Sequence, residues 1–147
     1  DADKFQESFG SFLAGYAHSV HEPPEAYYLR QFISAMRFAG CEIDSEGSVG
    51  DGKFDAHWKA SDQLDFVFEI KYVPQQTDQG VYLSQEELQN MMVAAAKTAM
   101  KQIEERSYTK KYKIPASHRL PGAQIYKAAL VVGGRTNVLI QFKKEDY

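Results

Sequence analysis

Apolar side chains recur at Phe5, Phe9, Phe12, Leu13 and Tyr16, the spacing of one helix face, and predict a helix over residues 3–20. Tyr28, Leu29, Phe32, Ile33 and Met36 form a second such stripe over 24–38. The prolines of "HEPPE" suit the start of that helix, and Gly40 is placed to end it. The period then changes. "CEIDSEGSVGDG" reads as a short strand and a glycine-rich turn, and residues 52–60 and 64–72 alternate as two strands joined by "SDQ". After the polar loop "VPQQTDQGVY", Ser84 with Glu87 is a capping box. It opens a stretch of good helix formers from Gln85 to about Tyr108. "KIPASHRLPGAQ" is a loop, "IYKAALVV" a strand, "GGR" a tight turn and "TNVLIQF" a last strand.

The order is helix, helix, three strands, long helix, two strands. It predicts an α/β fold, a mixed central sheet with helices packed on it. The 147 residues suit a single domain with a substantial core, and no internal repeat or low-complexity tract interrupts them.

Composition narrows the class. Hydrophobic residues at 44% and charged residues at 25% are those of an ordinary water-soluble domain. No run approaches the roughly 18 apolar residues of a membrane span. No basic-then-apolar leader opens the sequence, and a start at Asp1 fits a fragment or a processed form. The single Cys41 excludes an internal disulfide framework and a cysteine zinc site. A reducing, cytoplasmic setting is the expectation. A net charge of -3 argues against grip on nucleic acid through overall positive charge. It leaves room for a local basic strip, and Lys97, Lys101, Arg106, Lys110, Lys111 and Lys113 cluster on and after the long helix. A solvated helix face explains the same cluster equally well.

The central hairpin carries the chemistry. Around a three-residue loop, Ser61 to Gln63, Phe54 lies opposite Ile70, Ala56 opposite Phe68 and Trp58 opposite Phe66, one coherent apolar face. The other face sets Lys59 against Asp65, His57 against Val67 and Asp55 against Glu69, with Lys71 two residues beyond Glu69. Like charges directly opposite destabilise a sheet. Lys71 compensates in part, and a divalent cation fits the remainder. Magnesium favours one or two carboxylates plus a substrate phosphate. A lysine beside it can orient or deprotonate a water and stabilise the transition state. The group reads as metal-assisted phosphodiester hydrolysis. A cross-strand ion-pair cluster without chemistry accounts for the same three residues.

Other chemistries find little support. His18, His21, His57 and His118 show no two-histidine metal spacing on a helix, and no serine sits in a nucleophile elbow. "VVGGRTN" lacks the Walker pattern and reads as a hairpin turn. "MMVAAAKTAM" is explained by close helix-to-sheet packing. Tyr72, Tyr82, Tyr108 and Tyr112 are candidates for stacking on bases.

Asp55, thirteen residues, Glu69, one residue and Lys71, on adjacent strands, resemble the PD-(D/E)xK nuclease superfamily. "GDGKFDAHW", "FVFEIKY", "AMKQIEERSYTKKY" and "EAYYLRQFISAMRFAG" are similar to the subgroup found C-terminal to AAA-ATPase-like domains in bacterial proteins. The resemblance runs over residues 22–142. It implies a restriction-endonuclease-like αβββαβ core in residues 23–147, with residues 1–22 as an added N-terminal helical extension. It implies a nuclease using Mg2+ or Mn2+, with Asp55, Glu69, the main-chain carbonyl of Ile70 and Glu25 as metal ligands. Lys71 is then the catalytic lysine and Gln102 a further catalytic residue, with Lys53 and Tyr108 toward nucleic acid; His57, on the face of Asp55, and Lys101, in the basic cluster, are further candidates for nucleic-acid contact. DNA is the implied substrate, an ATPase domain in the same parent chain the implied partner, and a homodimer is compatible. A helix-dipole role explains Glu25 as well. Phe54 stands where the eponymous proline would precede the aspartate, and Lys53 where the subgroup often has arginine. The alternatives are an inactive nuclease-fold module for nucleic-acid binding or partner docking, and a small structural domain that docks through residues 3–20.

Overall fold

The computed structural model describes residues 1–14, 24–49, 52–105 and 122–145, without the side chains of 46–49, 52–54 and 145. The elements are α1 (Ala2–Ala14), α2 (Pro24–Phe38), β1 (Ile43–Val49), β2 (Gly52–Ser61), β3 (Leu64–Val73), α3 (Gln85–Glu105), β4 (Gln124–Gly133) and β5 (Asn137–Glu145). The predicted first helix beyond Ala14, and the stretch from Arg106 to Tyr108 at the end of the long helix, lie outside the described residues.

The strands form one five-stranded sheet in the order β1-β2-β3-β4-β5. Three neighbouring pairs are antiparallel, and β3 and β4 run parallel. α3 provides the long connection that a parallel pair requires. The result is the expected mixed sheet with flanking helices, an α/β fold with the element order that the resemblance implied.

Strand alternation divides the core in two. Phe68, Ile70, Leu130, Val132 and Ile140 point toward α1 and α2 and pack with Phe9, Leu13, Tyr28 and Phe32. Phe9 and Leu13 place α1 in this same core. α1 also shields the edge strand, because Gln6 Oε1 accepts the Ile140 N–H at 2.8 Å. On the opposite face Val73, Ala129 and Val131 pack under Leu88, Met92, Ala96 and Ala99 of α3. The small residues of α3 allow the close approach that the sequence predicted. Covered on both faces, β4 is almost continuously buried, as a strand paired in parallel usually is.

The helix signals act as read. Ser84 Oγ accepts the Glu87 N–H at 3.1 Å and Glu87 Oε1 accepts the Ser84 N–H at 3.0 Å, a reciprocal capping box. These bonds hold the Glu87 carboxyl below the usual carboxylate range. At the end of α2, Gly40 sits at φ +86°. Its N–H reaches Arg37 O and that of Cys41 reaches Met36 O, both at 2.9 Å, the Schellman pairing. Among the described residues no helix is long and apolar enough to cross a membrane.

The hairpin of β2 and β3 departs from expectation in two places. The register Ala56↔Phe68, His57↔Val67, Trp58↔Phe66 and Lys59↔Asp65 is as predicted. A shift between Lys59 and Ser61 then pairs Ser61 with Leu64, so the loop is the two-residue turn Asp62–Gln63 rather than three residues. At the other end the ladder stops at Ala56↔Phe68, before the predicted pairs Asp55–Glu69 and Phe54–Ile70.

Candidate active site

Asp55, Glu69 and Lys71 share the α3 side of the sheet, because odd-numbered positions of β2 and β3 point there. Where the ladder stops, side chain replaces main chain. Asp55 Oδ2 accepts the Ile70 N–H at 2.7 Å. A charged acceptor at this distance makes a strong bond. It fastens the carboxylate against β3 at the residue between Glu69 and Lys71. The expected face-to-face pair of Asp55 and Glu69 is therefore corrected to an Asp55–Ile70 contact, which sets the Asp55 carboxylate of β2 beside the step of β3 that follows Glu69.

Glu69 is 5% exposed, a carboxylate largely removed from water. Lys71 Nζ lies 3.8 Å from Glu69 Oε1, an ion pair beyond hydrogen-bond length. Burying a charge this deeply is costly unless it is compensated. Glu69 and Lys71 thus form an ion pair rather than a solvated fringe, with Asp55 fastened at the residue between them. Buried titratable groups held in this way concentrate at functional sites.

His57 continues the same face. Its Nε2 lies 2.8 Å from Asp65 Oδ1, and both side chains are largely buried. Asp65 therefore bonds to His57, while its main-chain partner Lys59 turns to Asp62 at 3.6 Å. Gln102, in the last turn of α3, is half-buried. Its Oε1 is buried without a hydrogen-bond partner among the described residues. A buried amide oxygen left so is a place for a water or a ligand to bond.

The remaining candidates are more scattered. Glu25 is exposed in the first turn of α2. Among the described residues no group of three or more His, Cys, Asp or Glu gathers to hold a metal, so Glu25 is not brought into one cluster with Asp55 and Glu69. Lys101 is exposed and pairs with Glu105 at 3.6 Å along the helix. Lys53 lies on β2 opposite Ser48, with its side chain outside the described part. Tyr108 lies outside the described residues, as do Tyr112, His18, His21, His118 and the basic residues from Arg106 to Lys113.

A second charged group went unread in the sequence. Lys127 on β4 is 5% exposed and donates to Glu104 Oε1 at 3.0 Å, and Lys143 on β5 donates to the same oxygen at 2.6 Å. The two lysines, Lys143 first, hold the Glu104 carboxyl below the usual range. A signal was present: Lys127 alternates with Ile125, Ala129 and Val131 on a face that is otherwise apolar.

Asp55, Glu69 and Lys71 thus stand as an Asp-…-Glu-x-Lys set on adjacent strands, with Asp55 fastened at the Glu-x-Lys segment. Residues 23–142 match the profile of the PD-(D/E)XK nuclease superfamily. The chain belongs to that superfamily. The matched segment runs from the start of α2 into β5 and leaves α1 outside it. No curated protein and no solved structure shows a significant match to the chain. Nucleases of this superfamily typically use divalent metals. The donors here fit such an ion: two carboxylates, one of them buried, beside the main chain of Ile70. That is the sparse, oxygen-only set that magnesium accepts when substrate and water complete its shell.

Proposed function

We propose that the protein is a metal-dependent nuclease that hydrolyses phosphodiester bonds, with DNA as its substrate. One observation carries the proposal. The Asp55 carboxylate is fixed at 2.7 Å to the Ile70 N–H, beside Glu69 and Lys71. Asp55, Glu69 and the Ile70 carbonyl would hold Mg2+ or Mn2+. Such an ion, when bound, supplies Lewis-acid charge at the phosphate and a more acidic water. Exposed Glu25 is not required by this arrangement.

The chain's own groups have distinct tasks. The Lys71 ammonium orients the attacking water and faces the negative charge that grows on the phosphate oxygens. Gln102 offers its buried amide oxygen to that water. Asp65 fixes the His57 ring, so that His57 meets the nucleic acid in one orientation. Lys53, Lys101 and Tyr108 are the proposed further contacts to the nucleic-acid strand. An ATPase-like domain in the same parent chain, a bacterial cytoplasmic setting and a homodimer belong to the same proposal.

A second proposal, a nuclease-fold module that binds nucleic acid or docks a partner without cleaving, is favoured by one observation. Only two carboxylates gather at the site among the described residues, with no third acidic or histidine ligand. Titration with magnesium and manganese against labelled single- and double-stranded DNA and RNA separates the two, run beside Asp55→Asn and Lys71→Ala. Metal-dependent cleavage that both substitutions remove supports the nuclease. No cleavage, with no calorimetric metal binding by the unaltered chain, supports the docking module.

A further inference from the structure

A pocket of about 650 Å³ opens at the carboxyl ends of β3 and β4, the one parallel pair of the sheet. Its walls are the loop between β3 and α3 and the turn between β4 and β5. Among the described residues that line it, none is an Asp or a Glu. Arg135 is exposed at its rim and has no ion-pair partner among the described residues. In a chain of net charge -3, a pocket whose only charged group among the described residues is an arginine is a local site for an anion.

The remaining lining is suited to a base. Tyr82 is 71% exposed at the pocket wall. Main-chain bonds hold the loop that carries it: Thr77 N–H to Val81 O at 2.8 Å and Leu83 N–H to Gln75 O at 2.8 Å. Tyr72 forms the floor, its ring stacked on Tyr28 at 5.3 Å and 14°. Gln76 and Asn137 supply amide groups, and Gln75 is pinned by donating to Leu83 O at 3.1 Å. The turn is fixed as well. Gly134, at φ +61°, donates to Val73 O at 2.8 Å, and the Tyr28 hydroxyl donates to Gly134 O at 3.3 Å. An aromatic ring on a loop braced by main-chain bonds, amides and a guanidinium match an unpaired nucleotide: base on the ring, phosphate on the arginine. A paired base has both faces already stacked and offers the ring nothing.

We propose that this pocket binds a nucleotide of a single-stranded segment next to the phosphate handled at Asp55, Glu69 and Lys71. Tyr72 follows Lys71 about 3.3 Å further along β3 but turns to the opposite face of the sheet, so the nucleotide is taken where the strand passes round the carboxyl end of the sheet. Naming the ligand a nucleic acid rests on the nuclease proposal above. Binding is tested apart from cleavage.

The probes are fluorescent oligothymidylate, oligouridylate and a mixed-sequence duplex, read by anisotropy in EDTA. Tyr82→Ala weakens single-strand binding roughly 5- to 100-fold, and Tyr82→Phe restores it. Arg135→Gln lowers the slope of log affinity against log salt by about 0.7, one phosphate contact on a single strand. Duplex binding changes in neither variant. No single-strand binding by the unaltered chain, or equal binding by all variants, overturns the inference. An equal loss on the duplex also overturns it. Unchanged binding by variants of a chain that does cleave overturns this inference alone. The predicted losses, in a chain that cleaves nothing with any metal, uphold the pocket and overturn the nuclease.

Discussion

The Asp55 carboxylate accepts the Ile70 N–H at 2.7 Å, one step past Ala56↔Phe68, the last rung between β2 and β3. One group therefore serves two purposes. It satisfies a main-chain donor of a strand that is buried on both faces, and it sets a negative charge beside Glu69 and Lys71. The two purposes separate chemically, because an amide oxygen can accept the same N–H without the charge.

Asp55→Asn keeps the acceptor and loses the charge. Its unfolding free energy is expected within about 1 kcal/mol of the unaltered chain. Its metal-dependent cleavage is expected to fall about a hundredfold or more. Asp55→Ala loses both and leaves the Ile70 N–H open, a cost of about 1–3 kcal/mol. Denaturant unfolding and single-turnover cleavage measure the pair. An Asn variant that cleaves normally would reduce Asp55 to a pin for β3.

Lys71→Met removes the cation 3.8 Å from a glutamate that is 5% exposed. In EDTA the variant is expected to lose roughly 1–3 kcal/mol of stability, since a buried charge has lost compensation. Millimolar magnesium is expected to raise its melting temperature more than that of the unaltered chain, because the ion supplies the missing positive charge. A ligand at a hundredfold excess over its dissociation constant adds about 2.7 kcal/mol. Equal metal responses in both proteins would place the binding elsewhere.

How much of this was legible in the sequence depended on whether the cause was local. Gly40 and the Ser84–Glu87 box act through neighbouring main chain, and both behave as read. The hairpin register follows from apolar alternation, so Trp58↔Phe66 and Ala56↔Phe68 were predictable. Alternation does not say where a ladder ends. The side chain of Asp55 outcompetes the next main-chain rung, and no pattern of side chains encodes that. The bulge near Ser61 is invisible for the same reason. His57 with Asp65, a diagonal pair, required the actual twist of the strands. Glu104 with Lys127 joins a helix to a strand 23 residues away, so it needed the crossover to be placed first. The pocket beside Arg135 arises where two loops meet at the ends of parallel strands, though each loop alone reads only as a turn.

Glu104 makes stability depend on acid. Hydrogen bonds from Lys143 and then Lys127 lower its carboxyl pKa in the folded chain. A carboxyl lowered on folding stabilises fully above its unfolded value, and that contribution fades as pH falls through the folded value. The unaltered chain should lose stability faster below about pH 4.5 than Glu104→Gln, which has no such proton to gain. The two curves should converge in acid. Urea unfolding across pH 2.5–7 (about this range suffices) reads the difference. Parallel curves would mean that the pairs contribute nothing to folding.

Tyr28 makes the mirror-image prediction at high pH. Burial, with Tyr72 and Tyr27 adding to it and Arg135 opposing, pushes its hydroxyl up to about 12. Tyr72 is raised by burial too. An acid whose folded pKa is raised contributes stability that is complete below the unfolded value, near 10 for tyrosine. That contribution is lost as pH climbs from there toward 12, because only the unfolded chain gives up the proton early. Tyr28→Phe keeps the ring stacked on Tyr72 and deletes both the proton and the bond to Gly134 O. It is expected to cost about 0.5–1.5 kcal/mol near neutrality. Above pH 10 its stability should fall less steeply than that of the unaltered chain, by up to one proton. Phenolate absorbance of the folded chain should show one fewer late-titrating tyrosine in the variant. Loss of a tyrosine that titrates near the ordinary value of about 10 would instead mean that Tyr28 is open to solvent, and the stacked floor beneath Arg135 would then lack its anchor.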